Sequence, residues 1–164
     1  MRAPEVAGLP PIVGGRPTVL ILGNAPSVLS LQTQQYYGNP RNAFWRIAGE
    51  LYGFDPAAPY AERTAALVER GVAVWDVLQH CRRVGSLDSA VERDSMVPND
   101  FESFFDSHPE ISRVFFTGGA AETNYRRLVR VSARVTYARL PSTSPAHTMP
   151  VAAKLAAWRE ILEL

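Results

Sequence analysis

The 164 residues contain one cysteine, one lysine and three histidines. These are the side chains most often used for disulfides, Schiff bases and metal ligands. A lone Cys81 excludes an internal disulfide and a cysteine-based zinc site. His80, His108 and His147 show no ligand spacing, so no metal is expected. No apolar run reaches the ~18 residues needed to span a bilayer. The opening MRAPEVAGLPPIVGGRP has no apolar leader core and is broken by prolines, so no secretory signal is expected. Charge of one sign is missing too: the net charge is +1, and no global basic field advertises nucleic acid. Lys154 is the only lysine. The other basic residues are arginines, so permanently charged, fork-shaped groups are the main means of gripping phosphate.

The bulk composition is that of a globular domain, 46% apolar and 20% charged. The length suits one domain, 1–164, with an irregular lead-in over 1–17. The expectation is a monomer working in a reduced, cytoplasmic compartment, associated with the nucleoid if the cell is bacterial. TVLILG (18–23) is a short apolar run ending in glycine, the pattern of a strand covered on both faces. GVAVWDVL (71–78) and ISRVFFTGG (111–119) repeat it, and VSARVTYARL (131–140) is a fourth candidate. Helical patterns lie between them at 41–52, 60–70, 100–107 and 119–131, and a last one follows Pro150 over 151–164. Strands alternating with helices imply a parallel sheet with helices on both faces. In such sheets, ligands collect beyond the carboxyl ends of the strands. GNAPS (23–27), WDVLQHC (75–81), TGG (117–119) and LPSTSPAH (140–147) all fall on that edge.

QQYYGNPRNAFW (34–45) follows the first of these loops. It mixes side chains that stack with side chains that bond polar edges, beside a turn. That mixture suits a pocket for a flat polar ring. GNAPS, QQYYGNPRNAFW and LPSTSPAH, in this order, resemble the uracil-DNA glycosylase superfamily, and most of all its hypoxanthine-DNA glycosylase branch. WDVL and GSLDS (85–89) extend the likeness over nearly the whole chain. The resemblance implies a three-layer α/β/α sandwich with a four-stranded parallel sheet. It also implies hydrolysis of the N-glycosidic bond of a deaminated base in DNA, hypoxanthine or uracil, with no cofactor and with DNA as the partner.

The resemblance distributes roles as follows. Phe44 offers a face for a flipped base, with Trp45 open between that role and the core, and Tyr37 stands at the pocket wall. Members of the superfamily place an Asp or Asn at the third position of the first motif, where this chain has Ala25. The water-positioning amide then falls to Asn42 of the PRN tripeptide, with Asn39 second. Asn42 also suits the plainer task of capping the helix after it. A histidine that begins the last motif in other members is replaced by Leu140. Backbone N–H groups around Asn24 and Ala25 become the donors to the departing base, and Gly23 beside them is a candidate base contact. Thr117 stands where an Asn is expected and can bond a base edge through its hydroxyl. Ser27, Arg41, Pro141, Ser142, Thr143 and Ser144, with Arg46, are candidate phosphate contacts, and His147 is a candidate wedge. Small polar residues such as these are also ordinary turn formers. Lys154, far in sequence from every motif, argues against a lyase step. The alternatives are a catalytically weak or inactive relative that binds DNA or abasic sites, and an unrelated small-molecule hydrolase on a similar sheet.

Overall fold

The computed structural model describes residues 2–163; Met1 and Leu164, the outer ends of the lead-in and of the closing helix, lie outside the described residues. The central sheet is parallel, in the order β3 (Val72–Asp76), β2 (Val19–Gly23), β6 (Arg113–Thr117), β7 (Thr136–Leu140). Successive residues of β2 face opposite layers, as a strand requires. Leu20 and Leu22 pack with Phe101 and Phe105 of α4 (Phe101–Ser107) and with Ala121 and Tyr125 of α5 (Gly119–Leu128). Ile21 packs on the other face with Phe44, Ile47 and Leu51 of α2 (Phe44–Tyr52), Leu67 of α3 (Tyr60–Glu69) and Trp158 of α6 (Val151–Trp158). These layers are the expected α/β/α sandwich. Each large apolar side chain buried this way contributes about 1.5–3 kcal/mol.

Three expectations change in detail. The lead-in holds a strand, β1 (Glu5–Ala7), antiparallel to β4 (Leu78–Arg82), and β5 (Val97–Pro98) completes this second, three-stranded sheet. The run 71–78 is therefore two strands, broken at Val77, because the chain leaves one sheet for the other there. Strands of two to five residues leave no periodicity to find, and β1 pairs with β4 across more than seventy positions. Of 131–140, only Thr136–Leu140 is strand. A further short helix, α1 (Val28–Thr33), follows the first motif; Ser27 caps it by accepting from Ser30 N–H at 3.1 Å.

Candidate active site

The sheet order sets the location. From β2 the chain moves to one side for β3 and returns to the other for β6 and β7, so a crevice opens where the direction reverses. Gly23 lies opposite Asp76, and Thr117 opposite Leu140, so four strand ends line up on one edge. A cleft of about 480 Å³ opens there, within the usual range for small-molecule sites.

The floor of the cleft is polar and buried. A Cβ on Gly23 would lie 2.6 Å from Asp76 Oδ1, 3.2 Å from the Tyr37 hydroxyl and 3.7 Å from Thr117 Oγ1. Glycine is what permits these three groups to converge. Asp76 Oδ2 and the Tyr37 hydroxyl are buried without a hydrogen-bond partner. The Thr117 hydroxyl sits beside that of Tyr37 without the alignment of a hydrogen bond. Burial first, and the charge of Asp88 second, push the Asp76 carboxyl up to about 7 against the opposing pull of Arg83. The Tyr37 hydroxyl is held protonated by burial and by Asp76. Tyr37 adopts a left-handed φ of 53°, uncommon for a large side chain, and its ring stacks on Phe44 with centroids 4.0 Å apart.

One wall is the first motif, and it is cross-braced. Asn124 Nδ2 donates to Asn24 Oδ1 at 2.8 Å, and Asn24 Nδ2 donates to Asp88 Oδ1 at 3.0 Å. Arg83 is buried and donates to the carbonyls of Pro26 and Gly85, both at 2.6 Å, joining the first motif to the 84–89 loop.

The other wall joins two segments a hundred residues apart. The Ala43 N–H donates to the Thr143 carbonyl at 3.0 Å, which brings the 39–43 turn against the 141–147 loop. Asn39, Asn42, Ser142, Ser144 and His147 all line the cleft. Asn42 Oδ1 accepts from Phe44 N–H at 2.9 Å, and Asn39 Oδ1 accepts from Arg41 N–H at 2.9 Å. Ala43 holds the N-cap position of α2, and Asn42 bonds the first helical N–H from the turn before it, which still leaves Nδ2 and one oxygen lone pair free to meet a ligand. Ser142 Oγ accepts from Ser144 N–H at 3.2 Å, and Ser144 Oγ accepts from Ala146 N–H at 3.2 Å.

Most residues singled out by sequence meet in this cleft: Gly23, Asn24, Ala25, Ser27, Tyr37, Asn39, Asn42, Thr117, Ser142, Thr143, Ser144 and His147. Five do not line it, and of these Arg46 is exposed on α2. Phe44 is fully buried and lies under Tyr37, so Tyr37 is the aromatic face turned to the cleft. Trp45 is core, its indole N–H donating to the Tyr36 carbonyl at 2.8 Å. Arg41 is exposed beside the cleft. The Pro141 carbonyl accepts from Trp158 Nε1 at 2.9 Å, anchoring the loop from behind. Lys154 is closer to a motif than its sequence position suggests: buried, it donates to the Ser144 carbonyl at 3.1 Å, though it is not part of the cleft wall. Sequence reasoning missed Asp76 and Asp88. The signal for Asp76 was an aspartate closing an otherwise apolar strand on the edge where ligands bind.

The family model of the uracil DNA glycosylase superfamily matches residues 10–163. The chain belongs to that superfamily. Membership carries a DNA glycosylase role, the hydrolysis of an N-glycosyl bond. The hypoxanthine DNA glycosylase of Methanosarcina barkeri is 30% identical over 154 residues, covering 93% of this chain and 95% of the relative. That of Methanosarcina acetivorans is 34% identical over 141 residues, covering 85% and 87%. A solution NMR structure of a Methanosarcina acetivorans protein, given provisionally as a uracil DNA glycosylase, superposes with a TM-score of 0.79 at 30% identity, covering 97% and 99%. Among the described residues, no helix is long and apolar enough to cross a membrane, and no group of three or more His, Cys, Asp or Glu could hold a metal ion.

Proposed function

We infer that the chain is a monofunctional, monomeric glycosylase that flips hypoxanthine or uracil out of DNA and hydrolyses its glycosidic bond, initiating base excision repair. The observation that carries this is the cleft shared by Asn42 and the Ser142–Ser144 loop, closed by the Ala43–Thr143 backbone bond. A strand held along the serine loop places an extruded nucleotide over the floor. Tyr37, backed by Phe44, offers the stacking face. The unpartnered Asp76 carboxyl and Tyr37 hydroxyl, with Thr117, meet the polar edge of the base. Both candidate bases present an N–H beside a carbonyl. A neutral carboxyl can accept from the first and donate to the second.

Asn42, fixed by its bond to Phe44 N–H, holds a water toward C1′ through its free Nδ2 or remaining lone pair. An amide is no base, but departure of the leaving group dominates such a hydrolysis, so positioning suffices. Leu140 is buried and Ala25 has no polar side chain, so charge on the departing base is met by floor groups and backbone N–H donors. No lyase step is proposed, because the Lys154 amine lies behind the serine loop and bonds its carbonyl. The test uses duplexes with one hypoxanthine or one uracil, followed by alkali. Wild-type protein is expected to yield a strand break at the modified base, and Asn42→Ala to lower kcat about 10²–10³-fold with little change in KM. Binding to an abasic duplex without excision of either base, at any protein excess, would leave the chain as a DNA-binding relative.

A further inference from the structure

We propose that Arg139, Arg126 and Arg130 form a basic track that grips the phosphate backbone of the duplex on one side of the damaged nucleotide. The proposal rests on the glycosylase reading above. The net charge of +1 hides an uneven division. Between Glu122 and Glu160 the chain has six arginines, its only lysine and no acid, whereas the remaining residues carry ten basic and all sixteen acidic side chains. The 141–147 loop lies within the basic part. A potential of one sign beside a cleft draws in and orients a polyanion, even where the whole molecule is near neutral.

The fold joins three of these arginines into one exposed row that starts at the cleft. A Cβ on Gly118 would lie 3.0 Å from Ser142 Cβ, and one on Gly119 would lie 2.8 Å from Arg139 Nη1. The Arg139 guanidinium therefore rests on the start of α5, next to where Ser142 packs. Glu122, one turn on, ties it to the next member: Oε1 lies 3.4 Å from Arg139 Nε, and Oε2 lies 3.3 Å from Arg126 Nη2. Arg126 also stands over the Tyr137 ring, 5.5 Å from its centroid, and Arg130 Nη1 donates to the Arg126 carbonyl at 3.0 Å. The Arg139 and Arg126 side chains are 58% and 55% exposed, and Arg130 is exposed as well. Exposed ion pairs of this kind add little stability, so folding alone does not account for the row. One carboxylate shared by two guanidiniums holds them in place and leaves most of their N–H donors free. At the other end of the sheet, past β3 and β4, Arg82 is instead neutralised by Glu92 and Asp94, at 2.9 and 3.5 Å. Fork-shaped cations in a row continuous with the serine loop fit one occupant, the phosphates that flank the lesion.

The experiment measures binding to a duplex with a non-cleavable abasic analogue, by fluorescence anisotropy over a range of salt concentrations. Each phosphate engaged contributes about 0.9 to the slope of log affinity against log salt. Arg126→Gln, Arg130→Gln and Arg139→Gln in one protein are expected to flatten that slope by about two to three and to weaken binding about tenfold or more at low salt. Arg16→Gln, Arg70→Gln and Arg93→Gln together remove the same charge elsewhere and should change the slope by less than about one. Glu122→Gln removes the anion within the row and should tighten binding about threefold. Duplex length reports the side. Shortening one flank should cost wild type about tenfold, and the track variant should no longer respond to that flank. Equal flattening by the two triple variants, weaker binding by Glu122→Gln, or a track variant that responds to both flanks as wild type does overturns the proposal. Wild-type protein that excises neither base would sink the glycosylase reading alone, because the binding arms still decide the track. Wild-type protein that does not bind the duplex would sink both.

Discussion

The rim and the floor of the cleft treat their polar atoms in opposite ways. On the rim the oxygens are already engaged. Ser27, Asn39, Asn42, Ser142 and Ser144 each accept a backbone N–H from a residue two or three places on. What remains free on Asn39, Asn42, Ser142 and Ser144 is mainly their hydroxyl and amide hydrogens, whereas the Ser27 hydroxyl also donates to Ser30 Oγ at 3.1 Å. A surface of unengaged donors suits an anion, and the anion of DNA is its phosphate. On the floor, the Asp76 carboxyl oxygen and the Tyr37 hydroxyl are buried with no partner. Such atoms destabilise the empty protein by about 1–3 kcal/mol each, and a ligand edge that satisfies them recovers that energy. On the proposed reading the rim is shaped before DNA arrives, whereas the floor is completed by the base.

Among substitutions on the floor, crowding gives the largest expected effect. Gly23→Ala puts a methyl group 2.6 Å from Asp76 Oδ1 and 3.2 Å from the Tyr37 hydroxyl, and both side chains must move. Displacement of about 1 Å at a reacting site can lower the rate about 10²-fold. A fall of that order in kcat/KM is expected, with stability lowered by about 1–3 kcal/mol in urea melts. Excision at the wild-type rate would mean that the base does not sit over Gly23.

A smaller effect, but one with a sign, comes from Asp76→Asn. In the folded protein the carboxyl keeps its proton to about 7, whereas the unfolded chain loses it near the ordinary 3.8. The native state therefore holds more protons between those values, and stability falls as pH rises through that window. Three units correspond to a loss on the order of 4 kcal/mol for a fully buried group. Asparagine keeps a donor and an acceptor but cannot ionise, so this part of the slope should vanish, leaving the weaker contribution of Asp88, which burial also raises. Excision should respond in the same direction. Above about 7, wild-type Asp76 faces the departing base as an anion, and the rate should decline, whereas Asp76→Asn should lose up to about tenfold at pH 6 and show no such decline. Parallel pH profiles for the two proteins would remove Asp76 from the base edge.

The contrast between rim and floor also marks what the sequence made legible. Rim residues occur in contiguous runs, PRN and PSTS, where turn chemistry and motif resemblance coincide. The floor is assembled from single residues at the ends of three strands and one loop, Gly23, Asp76, Thr117 and Tyr37, and only the sheet register shows that they converge. Asp76 went unremarked for that reason, inside a segment recognised as unusual. Phe44 was read as a face for the base because chain order cannot reveal that Tyr37 folds back over it through a left-handed φ. The three-stranded sheet was hidden because Glu5 pairs with Arg82. Lys154 misled in the other direction: ten residues of separation said nothing of its bond to Ser144.

The smallest expected effect tests the rim. If Ser142 holds phosphate through its hydroxyl hydrogen, Ser142→Ala removes a neutral contact and the acceptor for Ser144 N–H. A hydrogen bond of this kind is worth about 1 kcal/mol, so KM should rise a few-fold with kcat nearly unchanged. Salt tells the contact apart from an ionic one. A hydroxyl releases no counterion, so the plot of log KM against log salt should shift without changing slope, whereas Arg46→Ala should flatten it by about one ion if Arg46 touches the backbone. A loss in kcat with KM preserved would place Ser142 with the floor, among groups that act on the base rather than on the strand.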